Sequence, residues 1–152
     1  MGSEIGQRSA SGCELVTEVA RRFGEVRFRA TGVSMMPVIW PGDILTIRNC
    51  GMEEVQPGQI VLYRREKELI AHRVTSIHGN LLTTRGDSIN HDDLPVRESE
   101  IVGRVVSITR RGQIVPGALS FWSRAGSRVL RRSGLCLRVA SSLAYRMHRS
   151  EQ

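Results

Sequence analysis

The sequence predicts a mainly β domain of short antiparallel strands, with a short helix ahead of it and a basic amphipathic helical segment behind. Three observations carry that expectation. From Val26 to Val115 apolar residues come in short runs, several of them alternating with polar ones, separated by Gly, Pro, Asn and Asp. Ahead of them, Leu15, Val16, Val19, Ala20 and Phe23 are spaced by three and four, the period of one helical face. Beyond Pro116-Gly117 the helical period returns, now with arginines opposite the apolar residues.

In chain order, residues 1–12 are small and polar and are expected to be disordered. Cys13 to Phe23 reads as the helix, stopped by Gly24. Val26, Phe28 and Ala30 alternate with Arg27 and Arg29, a half-buried strand that leads to Ser34. Pro37 and Pro41-Gly42-Asp43 bracket a turn, and Ile44 to Ile47 is the next strand. After a turn at Glu54 to Gly58 come strands at Ile60 to Tyr63 and Leu69 to Ile77, joined by a charged hairpin end. Leu81 to Thr84, Ile101 to Ile108 and Ile114-Val115 complete six or seven strands, an all-β assembly of hairpins over residues 13–116.

At 152 residues the chain is long enough for one domain with a hydrophobic core of its own. Its charge is divided. Residues 1–100 carry 12 Lys/Arg against 14 Asp/Glu, a net of −2, and residues 101–152 carry 10 Arg against one Glu, a net of +9. The overall +7 therefore belongs to the last third. There Leu119, Trp122, Ala125, Val129, Ala140, Leu143 and Met147 share one side of a helical wheel. Arg124, Arg128, Arg131, Arg138, Arg146 and Arg149 lie broadly on the other. Residues 117–152 thus read as a helix pair on an anionic membrane surface, or as a helix packed on the domain or used in self-association. Nucleic acid is the least favoured partner, since the interleaved aromatics of strand binders are missing.

Cys13, Cys50 and Cys136 are odd in number, widely spaced and without a Cys-x-x-Cys unit. They make neither a disulfide framework nor a metal site, and read as buried thiols in a reducing compartment. No run reaches the roughly 18 apolar residues of a spanning helix, and the first residues lack the apolar stretch of a secretory signal. The chain is expected in the cytoplasm or peripherally on a membrane, with no cofactor or metal.

Three segments supply the groups that serine-based acyl transfer needs. Ser34, in Gly32-Val33-Ser34-Met35-Met36-Pro37, sits where a strand ends, with Gly32 to free the backbone. Backbone N–H groups in such a bend, with Met35 next in line, can point at a developing oxyanion. A hydroxyl attacks only if a base takes its proton, and His72, within an apolar strand, is the best base. His78, His91 and His148 lie in turns or the tail, and their spacing from nearby Asp residues is not diagnostic of metal. An orienting carboxylate would fix the imidazole. Asp87, Asp92 and Asp93 all follow the strand that pairs with the His72 strand, and spacing does not choose among them.

Gly32 to Asp43 resembles the nucleophile box of the signal peptidase I family (peptidase S26), shared in looser form with the LexA-like self-cleaving proteins of the S24 type. Those families divide by their base. Most bacterial signal peptidases and LexA-like proteins use lysine. The archaeal, endoplasmic-reticulum and sporulation-type branch has His-Arg-Val, then Thr-Lys-Gly-Asp-Asn-Asn and a later Asp. This chain has His72-Arg73-Val74, Thr84-Arg85-Gly86-Asp87-Ser88-Ile89-Asn90 and Asp93, similar to the histidine branch. Lys67, in the charged hairpin end, is the one candidate for a lysine base.

The resemblance covers residues 26–108 and implies a LexA/signal-peptidase-like fold and a serine endopeptidase that cleaves signal or leader peptides. It implies Ser34 as nucleophile, His72 as general base and Asp93 as third member. Asp87 matches a carboxylate expected to be structural, and Gly42 and Asp43 match the turn that braces the nucleophile. Arg85 stands where the family has Lys, and Ser88-Ile89 where it has Asn-Asn. The implied substrate is an extended peptide or preprotein, paired beside a strand edge with small side chains in shallow apolar pockets. Two other readings stand beside it: a binding or regulatory domain without catalysis on the same fold, and a self-cleaving switch.

Overall fold

The computed structural model of the chain describes residues 3–116; the segment 117–152, read above as a basic amphipathic tail, lies outside the described residues. A single helix, α1 (Ser3–Phe23), precedes eight strands: β1 (Glu25–Arg29), β2 (Ile44–Arg48), β3 (Ile60–Arg65), β4 (Glu68–His78), β5 (Leu81–Arg85), β6 (Val96–Arg97), β7 (Ile101–Arg110) and β8 (Gln113–Ile114). The mainly β architecture is the one the alternation calls for. Gly24 closes α1 as expected, with φ of +75° and its N–H on the Ala20 carbonyl at 2.9 Å.

Three features differ from the sequence reading. The helix starts at Ser3, well before the apolar spacing that begins at Cys13, because backbone bonding continues through residues that carry no apolar stripe. β6 was not legible: two residues after Pro95 show no period. The assembly is also less local than a chain of hairpins. All pairs are antiparallel, in the order β1-β2-β7-β3-β4-β5-β6, with β8 on β7. The long β7 joins two halves, pairing with β2 on one side and β3 on the other.

The sheet buries both faces. Leu45, Ile47, Ile60, Leu62 and Ile108 form one core with Ala20 of α1, into which Met35 and Ile39 also pack. Val61, Tyr63, Val74, Leu82 and Val96 form the other. Consecutive residues of β3 therefore alternate between the two cores, which is why Ile60 to Tyr63 is continuously buried. No helix among the described residues is long and apolar enough to cross a membrane.

Candidate functional site

Residues 30–43 link β1 to β2 and carry Ser34 on a tight bend. Within it the Met36 N–H bonds the Val33 carbonyl at 3.1 Å, and the Met35 carbonyl accepts from Val38 and Ile39 at 3.0 and 2.9 Å. The buried side chains of Met35, Met36 and Ile39 anchor the bend, leaving Ser34 half-buried. The far side is fastened by Asp43, itself 2% exposed. Its Oδ2 accepts the Trp40 N–H at 2.8 Å, and Arg110 of β7 donates to Oδ1 and Oδ2 at 2.9 and 2.8 Å. Arg110 also bonds the Val38 carbonyl and lies over the Trp40 ring. Gly42 supplies the positive φ, +93°, that the turn requires.

Gly32 has no such reason to be glycine. It is not among the glycines with positive φ, and a Cβ there would meet nothing within 4 Å. The backbone freedom expected before Ser34 is not used.

His72 stands opposite Val61 of β3 in the β4 register, on the face shared with Val74. Its Nε2 lies 2.8 Å from Ser34 Oγ, and its Nδ1 lies 2.6 Å from Asp93 Oδ2. The side chains of His72 and Asp93 are 8% and 15% exposed, so the chain of groups is largely screened from water. A carboxylate only accepts, so the Asp93 contact puts the imidazole hydrogen on Nδ1 and leaves Nε2 to accept from the Ser34 hydroxyl. That is the arrangement a base needs before a hydroxyl can attack.

Of the three carboxylates that spacing could not separate, the structure brings Asp93 to the imidazole. Its backbone N–H bonds the Thr84 carbonyl at 2.8 Å, which fixes where the loop returns. Asp87 goes elsewhere. It accepts from Arg73 Nε and Nη2 at 2.8 and 2.7 Å, in a pair 10% and 5% exposed, while Arg73 Nη1 reaches the Gly58 carbonyl at 2.7 Å. Asp92 pairs with Arg85 at the surface. Neighbours on a strand point to opposite faces. His72 and Arg73 therefore reach two different carboxylates of one loop.

That loop also holds Ser34. Ser88 N–H donates to the Ser34 carbonyl at 2.9 Å and Ser88 Oγ to the Val33 carbonyl at 3.0 Å. Gly86 packs so closely that an added Cβ would sit 2.7 Å from the Ser34 carbonyl oxygen. The Arg73–Asp87 pair thus fixes a loop that in turn fixes Ser34.

Besides Arg110, two groups around Asp93 escaped the sequence reading. Thr84 Oγ1 donates to Asp93 Oδ2 at 2.7 Å, and Tyr63 OH lies 3.3 Å from the same oxygen. Both residues are buried, and they converge because β3, β4 and β5 present Tyr63, His72 and Thr84 on one face. Burial pushes the Tyr63 phenol above its ordinary value, against the lowering effect of its bond with Thr84. A buried tyrosine in an apolar strand carries no sign in sequence of which carboxylate it will meet.

Lys67 occupies the β3–β4 turn, where its carbonyl accepts from the Cys13 thiol at 2.9 Å. It is the chain's only lysine and lies five residues from His72 along β4, about 16 Å of extended strand. The group beside Ser34 is the imidazole. Among the described residues no cluster of three or more His, Cys, Asp or Glu side chains is arranged to hold a metal ion.

The family model described as Peptidase S24-like matches residues 15–106. The chain belongs to this Peptidase S24-like family. The match runs from α1 into β7 and includes Ser34, His72 and Asp93. A search of curated proteins finds no match. Membership puts the chain among peptidases and LexA-like self-cleaving proteins.

Proposed function

We propose that this S24-like protein is a serine endopeptidase acting on extended peptides. The observation that carries the reading is the continuous contact from Ser34 Oγ through His72 to Asp93, 2.8 and 2.6 Å long. Ser34 Oγ attacks the scissile carbonyl carbon while His72 Nε2 takes the hydroxyl proton. Asp93 holds Nδ1–H and stabilises the imidazolium. Among the described residues the Ser34 and Met35 N–H groups have no acceptor, and these are the donors proposed for the oxyanion. Collapse of the tetrahedral species breaks the C–N bond as His72 returns its proton to the leaving amine. Water, deprotonated by the same imidazole, then hydrolyses the ester on Ser34.

The substrate side rests on β1. Among the described residues it is an edge strand, paired only with β2, and the chain continues from it directly to Ser34. An extended peptide can add to such an edge through main-chain hydrogen bonds. Val33 and Leu94, 53% and 74% exposed, stand next to Ser34 and Asp93 and offer apolar contact. The His-Arg-Val and Arg-Gly-Asp segments, with histidine as base, favour the signal-peptidase-like variant, cleaving signal or leader peptides, within this reading.

The test is cleavage of leader peptides, with labelling by a fluorophosphonate, in wild type, Ser34→Ala and His72→Ala. Labelling and cleavage are expected in wild type alone. A folded wild type that neither labels nor cleaves would leave a binding domain. The family match also supports self-cleavage as a second reading. Scission of the purified chain at a rate independent of its concentration, with no action on added peptides, would favour it.

A further inference from the structure

The open edge of β1 carries its own selectivity. Gly24 accepts from Asn49, and Ala30 both donates to Asp43 and accepts from Gly42, so the even-numbered residues direct their backbone groups toward β2. Antiparallel bonding alternates. The N–H and C=O groups of Arg27 and Arg29 therefore face the unpaired side, where an added strand would bond. Both side chains are exposed, and neither has an ion-pair partner among the described residues. Their neighbours across the sheet are uncharged: Thr46 opposite Arg27 and Ile44 opposite Arg29. Glu25, the remaining charge on β1, is engaged by Arg48 at 3.9 Å.

From this geometry we infer that the β1 edge selects peptides bearing acidic side chains two residues apart. A strand that bonds antiparallel to Arg27 and Arg29 sets its own residues directly opposite them, on the same face, about 5 Å away between Cβ atoms. Alternate peptide positions thus meet alternate arginines, and an Asp/Glu-x-Asp/Glu pair is matched. Arg29 precedes Ser34 by five residues, so the acidic pair lies some way along the peptide from the bond that is cut. This names a substrate class for the proposed peptidase and rests on that reading for its consequence. The binding itself does not need catalysis.

The experiment uses the full chain carrying Ser34→Ala and short fluorescein-labelled peptides with Glu-x-Glu or Gln-x-Gln walked along an otherwise constant sequence. Fluorescence anisotropy is expected to show one register in which Glu-x-Glu binds roughly three- to tenfold tighter. The preference should shrink at about 0.5 M salt, since these charges face solvent. It should disappear when Arg27→Gln and Arg29→Gln are added together. With Arg27→Glu and Arg29→Glu it should reverse toward Lys-x-Lys. Equal binding in every register, undetectable binding, or a preference that survives the double glutamine variant would overturn the inference. Cleavage of the same peptides by wild type is scored separately: preference without cleavage sinks the peptidase reading and leaves the arginine edge standing.

Discussion

Asp87 and Asp93 belong to one loop, yet they engage side chains that leave β4 in opposite directions, and their replacement should fail differently. Asp93→Asn leaves the packing in place but replaces an acceptor-only carboxylate by an amide that can also donate to Nδ1, so the His72 tautomer is no longer set. Cleavage should fall by about 10³–10⁴ in kcat with little change in the urea midpoint. Asp87→Asn takes the opposite charge away from a guanidinium that is nearly buried, and unfolding free energy should drop by about 3 kcal/mol. The opposite pattern would exchange their roles. Tyr63 belongs to the same scale. Its phenol is held protonated in the folded chain, chiefly by burial, whereas the unfolded chain ionises it near the ordinary value of 10.0. Above that pH the unfolded state holds fewer protons, so stability falls as pH rises from the unfolded value through the raised folded one. Below it this group contributes no slope. Tyr63→Phe should therefore show a shallower loss of urea midpoint above about pH 10.

At the level of elements, the bend that carries Ser34 has two restraints of different origin. One is its own apolar anchoring and the Asp43–Arg110 clasp; the other is the β5–β6 loop, applied through Ser88 and Gly86. Gly86→Ala separates them. Its Cβ would press on the Ser34 carbonyl and Cβ, at 2.7 and 3.1 Å, and the bend must move. A displacement of about 1 Å at a reacting group costs on the order of 10²-fold in rate. The overpacking itself should cost about 1–3 kcal/mol of stability. Steady-state kinetics beside thermal melts would measure both, and unchanged kcat would show that the loop does not position Ser34. The strands themselves were legible where alternation ran for several residues, as in β1 and β7. β6 was lost because its two residues are held by neighbours and not by a period. The start of α1 was missed for a similar reason: hydrogen bonding extends a helix through residues with no apolar stripe to reveal it.

Across the whole molecule, the charge asymmetry keeps its meaning from sequence alone, because residues 117–152 are outside the described structure. If they bind an anionic membrane face, the full chain should float with vesicles containing phosphatidylserine, and removal of 117–152 should abolish flotation; equal flotation would remove the proposal. Sequence determined the mainly β architecture, the turn at Gly42-Asp43, the helix stop at Gly24, and the choice of Ser34 and His72, in separate segments, as a pair to be brought together. These follow from periodicity and from residue types whose backbone or proton chemistry is intrinsic. It could nominate Asp87, Asp92 and Asp93 but, without the family resemblance, could not rank them. Nor did it reveal Thr84, Tyr63 or Arg110 as supports, or reject Gly32 as a flexible point. Those outcomes depend on strand register and on the path of a returning loop. Register is fixed by pairing between β4 and β5, and by the burial of whole faces at once. Such a cooperative quantity is carried by no single segment, so only the folded sheet decides which carboxylate meets the imidazole.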